Sequence, residues 1–450
     1  MSGLLTSLSM AARAMDAQRA GLAVTGENIA NLNTDGYVRR NIQLAEGRPA
    51  GVDVVGIRAQ RDRLLEARVR QEMPSAAREG AIADSLTVVE ASLGEAGASL
   101  DAQLSAFFDS FAALTQDPAS TVARDGVVLQ GRLLTRSFND LATRLDDARR
   151  GTDVSVRAGV ESVNRLASQV ASLNTAINAA NGGGTEALKD EQLLALTELA
   201  KLADITVIAR SDGGVDVSLG QGRAIVMGAN TYALQAVDTP PNGFASIELG
   251  GLDVTGEFNN GQLSGLLSVR DVMVPGYQAR LDAIAFSVAQ QVNTAHQAGT
   301  DLLGGTGNNF FAPIGGPAGA AAAIELDAAV SADPQLIAAS LTGAPGDNQT
   351  AKAIAALRDA RVVGGTASFA ESWSQLVYRV GSDAQTATSQ QKGRQEVVDQ
   401  VARLLDQVSG VSLDEEASSM LRFQRAYEAN ARYFSTVDQV LATLLRLVGG

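Results

Sequence analysis

A chain of 450 residues is long enough for about two to four hydrophobic cores, and a composition 45% hydrophobic and 19% charged is not that of a disordered protein. The formal net charge of −14 argues against nucleic acid and against an anionic membrane surface as partners. The absence of cysteine excludes disulfides, thiol chemistry and Cys-based metal sites.

The chain opens on a helical pattern. Met1, Leu8, Met15, Leu22 and Ile29 recur every seven residues, with Leu4, Ala11 and Leu32 on the neighbouring row. Ala12, Ala14, Ala17, Ala20 and Ala23 fill much of the remaining surface and let another helix approach closely. No basic segment leads into an apolar core and cleavage site, so a conventional signal peptide is not expected. The run Asn28-Ile29-Ala30-Asn31-Leu32-Asn33-Thr34-Asp35-Gly36-Tyr37 should end the helix, with Gly36 taking the positive φ.

Residues 42–60 alternate loosely (Val52, Val54, Ile57), as a short extended segment would. Helical patterning resumes at about Arg61 and runs through Arg78, and a second helical block covers about 80–200. Within that block Asp117-Pro118 starts a helix expected to reach Arg149, and Gly182-Gly183-Gly184 breaks the pattern before Leu188–Leu202.

The character changes at Asp204. Ile205–Ile208, Val215–Leu219, Ala224–Met227, Tyr232–Val237 and Ile247–Leu249 are short strand-like runs. Asp212-Gly213-Gly214, Gly220-Gln221-Gly222 and Asn242-Gly243 punctuate them as turns, predicting a small antiparallel β unit inserted in a helical protein. Helix returns at about Gln278–Ala298, a loop-rich stretch covers 299–349, and helix resumes over about 350–408. No run reaches the roughly 18 consecutive apolar residues of a membrane span.

The last segment mirrors the first. Leu413, Met420, Tyr427, Phe434, Leu441 and Val448 are spaced by seven, and Phe423, Val437 and Leu444 follow members of that row by three. Ser412 is expected to cap this helix, with Glu415 closing a capping box and Asp414 and Glu416 opposing the helix dipole. Both chain ends therefore carry apolar seams, and their placement predicts assembly.

Residues with catalytic potential are few. His296 is the single histidine, which removes a two-His metal site, and a structural role is expected for it. Asp414-Glu415-Glu416 would point in different directions on a helix. The glycine groups lack a nucleotide-binding context, and Asp301–Asn309 lacks EF-hand spacing and reads as a polar turn. No catalytic, cofactor-binding or metal residue is assigned, and no cofactor is expected.

The run containing Asn28, Ile29, Ala30, Asn31, Asn33, Gly36 and Tyr37 resembles the N-terminal signature of bacterial flagellar rod, hook and hook-associated proteins. Ser409 through Glu416, followed by Phe423-Gln424-Arg425-Ala426-Tyr427-Glu428-Ala429-Asn430-Ala431, resembles the C-terminal signature of the first hook-associated protein (FlgK) family. Asp117-Pro118 with Arg124, Gly261 to Asp271, Val292-Asn293 with His296 and Gly299, and Gly343 to Asn348 look like internal landmarks of that family. Before the β unit the family's Asp-Gln-Arg-Asp-like run appears only as Lys189-Asp190-Glu191-Gln192.

The resemblance implies a mainly α fold with an inserted β-rich domain. Residues 1–41 and 410–450 would pair as a coiled-coil D0-like unit. Residues 42–203 and 350–409 would form a helical-bundle D1-like domain. Residues 204–349 would form a small antiparallel β D2-like domain, with helix 278–298 returning to the bundle; that segment is too small for the further outer domain of longer members.

It also implies a non-enzymatic hook–filament junction protein, exported through the flagellar type III apparatus and assembled with itself as a ring of about eleven subunits. The implied partners are the hook protein, the next hook-associated junction protein and a FlgN-type export chaperone on the C-terminal seam; nucleic acid and membrane are not among them. The implied location is the extracellular flagellum after a transient cytoplasmic stage. A hook or rod subunit of the same axial family is the alternative reading. A wall hydrolase carried on an axial scaffold is a further one, for which residues 42–410 offer no paired, well-placed acids in the context of a recognisable catalytic domain.

Overall fold

The computed structural model describes residues 2–48, 50–180, 184–220, 222–241 and 243–448, with side chains described for all of these but 2, 94–99 and 448. The chain starts with helix α1 (Ser2–Ala30), followed by the antiparallel hairpin β1 (Arg40–Glu46) and β2 (Val52–Ala59). Three helices follow: α2 (Arg63–Leu114), α3 (Thr121–Ala179) and α4 (Glu186–Leu202).

Next come two small antiparallel meanders. One is β3 (Ile205–Ala209), β4 (Val215–Leu219), β5 (Arg223–Met227) and β6 (Asn230–Thr231); the other is β7 (Leu234–Thr239), β8 (Phe244–Leu249) and β9 (Leu252–Asp253). The chain then returns to helix through α5 (Gly261–Ser268), a π turn (Val269–Met273) and α6 (Val274–Gln297). Three short helices, α7 (Ala320–Ala323), α8 (Ala328–Ala332) and α9 (Gln349–Ala356), lead to the long α10 (Phe369–Ser409) and α11 (Leu413–Val448).

Two helices are longer than their residue patterns predict. α2 continues past Arg78 to Leu114, and α3 passes Arg149 to end at Ala179. A lone glycine such as Gly80 or Gly151 costs a helix only about 1 kcal/mol relative to alanine, which packing along α10 and the β unit offsets. Their starts follow ordinary capping. Asp62 accepts the Leu64 and Leu65 amides, both at 3.0 Å, and Ser120 accepts the Ala123 amide at 3.2 Å. α5 and the π turn are not legible in the sequence, and β1–β2 is a paired hairpin rather than one extended segment. Asn242 of the expected third turn and Gln221 of the second lie outside the described residues.

Two hydrophobic clusters organise the chain. The larger joins α2, the first half of α3, α6 and α10. Phe107, Phe108, Phe111, Phe310 and Phe311 are wholly buried there, with Phe107 edge-on to Phe108 at 5.1 Å and Phe310 edge-on to Phe311 at 4.9 Å. The second joins the far end of α3, α4 and α5 to the inward side chains of the sheets, among them Val217, Ile225, Val226 and Ile247. A salt bridge couples the π turn to the β unit. Arg270 donates to Asp153 at 2.5 Å and to the Ala245 carbonyl at 2.8 Å, while Asp153 accepts the Ala245 amide at 2.9 Å.

Candidate assembly site at the joined chain ends

α1 and α11 pack along each other. Their contact is close because α1 offers small residues. Ala11, Ala17, Gly21, Val24, Thr25 and Asn28 are its buried positions. A Cβ at Gly21 would stand only 2.6 Å from Phe423 Cε1, so glycine is what lets that ring lie on the α1 backbone.

Ala11 of the expected rows lies on this face, but further along the face runs one residue off, through Gly21 and Asn28 beside Leu22 and Ile29. Leu4, Leu8, Met15, Leu22 and Ile29 are half-buried beside it, and Leu32 is exposed. The reason is steric: small side chains bring two helix axes nearer than leucines would, which turns the larger row to the flank.

On α11 the contact follows a period near 3.5. Met420, Phe423, Tyr427, Phe434 and Leu441 are half-buried and Val437 is buried, whereas Leu413 (53% exposed) and Leu444 (39%) face solvent. The Val448 side chain lies outside the described residues. Leu421, Val440, Leu445 and Leu447 are further exposed apolar side chains, spread around the same helix.

A polar clasp closes the end of this pair nearest the body. Gly36 (φ 75°) turns the chain out of α1, and a Cβ there would meet Leu194 Cγ of α4 at 2.5 Å. The turn brings Tyr37, Arg39 and Arg40 back against α1. Asn28, 1% exposed, uses its whole amide: Nδ2 donates to the Arg40 carbonyl at 2.9 Å and to Glu416 Oε2 at 3.1 Å. Its Oδ1 accepts the Tyr37 hydroxyl at 2.8 Å and the Arg40 amide at 3.0 Å.

Glu416 is 2% exposed and takes Arg39 Nε at 2.7 Å; the neighbouring Glu415 takes Arg39 Nη1 at 2.6 Å. The Arg39 amide donates to the Ser409 carbonyl at 3.0 Å, tying the same strand to the end of α10. Glu416 therefore sits on the seam, seven residues before Phe423, instead of simply facing the helix dipole.

The capping expectation changes accordingly. The Ser412 carbonyl accepts the Glu416 amide at 2.9 Å, but the Glu415 carboxylate goes to Arg39. The reciprocal capping box forms one helix earlier, where Glu371 N donates to Ser368 Oγ at 3.2 Å and Ser368 N to Glu371 Oε2 at 2.9 Å. A long-range arginine takes the carboxylate from the local cap because it adds a full opposite charge to the hydrogen bond, where a backbone amide offers only its dipole.

The clasp continues into the body. Arg40 pairs with Glu27 and donates from Nη2 to Asp190 Oδ2 at 3.2 Å; Asp190 Oδ1 accepts from Arg61, whose Nη1 reaches Glu66 Oε1 at 3.3 Å. Burial pushes the Asp190 carboxyl up against the opposing pull of Arg61 and Arg40. Tyr37 is likewise pushed up to about 12, by burial before any neighbouring charge, and stays a neutral donor to Asn28. Arg40 also stacks over the Tyr37 ring at 4.8 Å.

The structure brings together Asn28, Gly36 and Tyr37 of the predicted motif. It leaves Ala30 and Asn33 exposed, and the Asn31 amide donates to the Glu27 carbonyl at 2.9 Å. Arg39, Arg40, Glu416, Asp190 and Arg61 were not singled out by spacing, because their partners lie more than a hundred residues away.

The body holds the other residues the sequence drew attention to. His296 is fully buried: Nδ1 donates to the Asn308 carbonyl at 2.8 Å and Nε2 accepts the Ala338 amide at 2.9 Å, which sets the neutral tautomer. Burial pushes its pKa down. Asp301 folds back on its own loop, accepting the Leu303 and Gly305 amides at 2.9 and 2.7 Å. Arg124 donates to the carbonyls of Pro118 and Ile337. Among the described residues no group of acids and histidine has the arrangement of a metal site, and no helix is long and apolar enough to cross a membrane.

Two paired terminal helices, a polar clasp and a helical body with a small β unit define an axial structural protein. Family models agree at both ends. Residues 8–37 match the flagella basal body rod protein family and residues 406–447 the C-terminal region of the flagellar basal body rod FlgEFG proteins.

Residues 86–311, half of the chain, match the flagellar hook-associated protein FlgK helical domain, and the chain belongs to the FlgK family of flagellar hook-associated structural proteins. It is 27% identical to flagellar hook-associated protein 1 of Bacillus subtilis, over 100% of this chain and 99% of the relative. It is 23% identical to the Escherichia coli protein of the same name, over 99% and 100%. The fold is similar to that of the flagellar hook junction protein FlgK from Burkholderia pseudomallei, with a TM-score of 0.67 at 15% identity, over 75% of this chain and 99% of that one.

Proposed function

We propose that this flagellar protein is a non-enzymatic junction piece between hook and filament, assembled as a ring at the distal hook end after type III export. The observation that carries the reading is the unsaturated state of the terminal pair. α1 and α11 bury one face on each other and leave Leu421, Val440, Leu444, Leu445 and Leu447 exposed. Large apolar side chains exposed on several sides of one helix are stabilised by further subunits or by a chaperone.

In this reading residues 1–41 and 410–450 form the inner axial unit, the strands of 204–253 the β-rich unit, and 42–203 with 350–409 the helical body, to which α6 and the loop-rich 299–349 stretch add Phe310 and Phe311. The partners are further copies of the chain (about eleven closing a cyclic ring), the hook protein below and the next hook-associated protein above. Before export, a FlgN-type chaperone covers the α11 seam. Ordering these helices on assembly costs on the order of 2–5 kcal/mol, offset by the apolar surface buried. Chaperone and ring compete for the same residues, so Phe434→Ala and Leu441→Ala weaken both; normal chaperone binding and normal assembly by these variants would count against the shared surface.

The deciding experiment is electron microscopy of a strain lacking this chain, with flagellin assayed in the medium. Completed hooks without filaments, and shed flagellin monomer, are expected. Absent hooks would move the protein down the axis to hook or rod, the reading that the terminal rod-protein similarity favours. Normal filaments would sink both.

A further inference from the structure

Neither hydrophobic cluster reaches the terminal unit. Every member of both lies between positions 81 and 387, so α1, the β1–β2 hairpin and α11 share no apolar core with the body. These elements pack on one another, and no helix of the body lies along them. Two covalent crossings join the unit to the body, residues 60–62 before α2 and 410–412 after α10, and neither is helix or strand. A Cβ at Gly410 would stand 2.5 Å from the Asp406 carbonyl oxygen, so glycine is what fits where the chain leaves α10.

One face of α4 holds the unit at its angle. Glu186, Asp190 and Leu194 are spaced by four and share that face. Glu186 Oε2 accepts the amide of Ala59, the last residue of β2, at 3.1 Å. Asp190 accepts from Arg40 of β1 and from Arg61 in the first crossing, and Leu194 lies against Gly36. Asp190 is the middle of the three, is 7% exposed, and grips the hairpin and the crossing together. Two arginines share its one carboxylate. Three buried polar atoms beside these contacts, Arg40 Nε, Arg61 Nε and Ser409 Oγ, have no hydrogen-bond partner. Buried polar groups are ordinarily satisfied, so the bonding of this joint is incomplete, in contrast to Asn28 in the clasp.

We propose that Asp190 is the releasable lock of a hinge. It fixes the angle between the terminal unit and the body, and without it the unit swings as one piece about residues 60–62 and 410–412. A joint made of ion pairs and hydrogen bonds exposes little apolar surface when it opens, and water takes over each bond. Both parts therefore keep their folds while the angle changes, and contacts made on assembly can set it. The inference rests on packing within one chain and does not depend on the junction reading.

The chain has no cysteine, so pairs of nitroxide labels can be placed on the full-length protein and their separations read by double electron–electron resonance. Gln169→Cys on α3 with Ser435→Cys on α11, both exposed, reports the angle between the two parts. Asp16→Cys on α1, also exposed, with the same Ser435→Cys reports the terminal unit alone. Both pairs should give narrow distributions in the otherwise unchanged chain. Adding Asp190→Asn should broaden the first at least about twofold and leave the second as it was. An equal width of the first pair with and without Asp190→Asn would overturn the proposal. So would broadening of the second pair by that substitution, because the terminal helices would then have come apart instead of swinging together. Should Asp190→Asn abolish the thermal transition, Arg40→Gln decides by the same two readings, since Arg40 lies outside both cores and its loss opens the same bridge from the hairpin side.

Discussion

The body and the terminal pair solve the problem of packing helices in opposite ways. In the body, aromatic side chains interlock in an apolar core, and the buried His296 has both ring nitrogens hydrogen-bonded inside the chain. In the terminal pair a glycine makes the closest described approach, at Gly21 under Phe423, a polar cluster is deeply buried at one end, and large apolar residues remain on the outside. An unsaturated pair is built for company, and its clasp sets register where apolar contact alone would allow sliding, as polar seam residues do in coiled coils.

Four perturbations break or sharpen that contrast. The largest effect belongs to the body: Phe107→Ala or Phe311→Ala should lower its stability by about 3–5 kcal/mol, read by urea unfolding, with little change in local exchange of α11. Next comes the clasp. Glu416→Ala removes the buried partner of Asn28 and Arg39 and should cost about 1–3 kcal/mol, seen as faster hydrogen exchange and proteolysis of α1 and α11 while the body transition stays put. A shift of the body transition by the same amount would show that the two regions fold as one.

The third perturbation is pH. Below the ordinary histidine value of 6.5 the unfolded chain takes up a proton at His296 that the folded chain refuses, since burial depresses the folded pKa. Stability is therefore fully present above pH 6.5 and falls as pH drops below it, by up to about 1.4 kcal/mol per pH unit. The decline ends at the folded pKa. Wild type and His296→Gln compared between pH 6.5 and 5 isolate this slope, since both chains carry the same carboxylates; parallel curves would refute it.

The smallest effect is expected at Leu444→Ala, within about 0.5 kcal/mol in the single chain because the side chain is exposed. The same substitution should impair assembly, so its measured pair of effects is the sharpest gauge of how unsaturated the end is.

Much of the fold was legible because its signals are local. The strand-like runs after Asp204, the Asp212-Gly213-Gly214 turn and the terminal helices appear in the structure, and the mainly α fold with a small β unit follows from them. The missed π turn has no local signature: Val269–Met273 reads as ordinary helix, and its bulge lies beside Arg270, which is held by Asp153 and the Ala245 carbonyl. The continuous α2 and α3 were hidden for a related reason, since glycine reads as a break until a neighbouring surface is known to cover it.

The candidate site divides along the same line. The sequence by itself determined that both ends are amphipathic helices, that Asn28 through Tyr37 interrupts the first, and that Gly36 turns the chain, because period and backbone freedom are properties of short stretches. Only the tertiary structure decided that Glu416 meets Asn28 and Arg39 across nearly the whole chain, that Arg40 hands the clasp on to Asp190 and Arg61, and that small residues rather than leucines face α11. Those outcomes depend on which surfaces meet, and a charge-assisted bond or a close backbone approach exists only once both partners are in place.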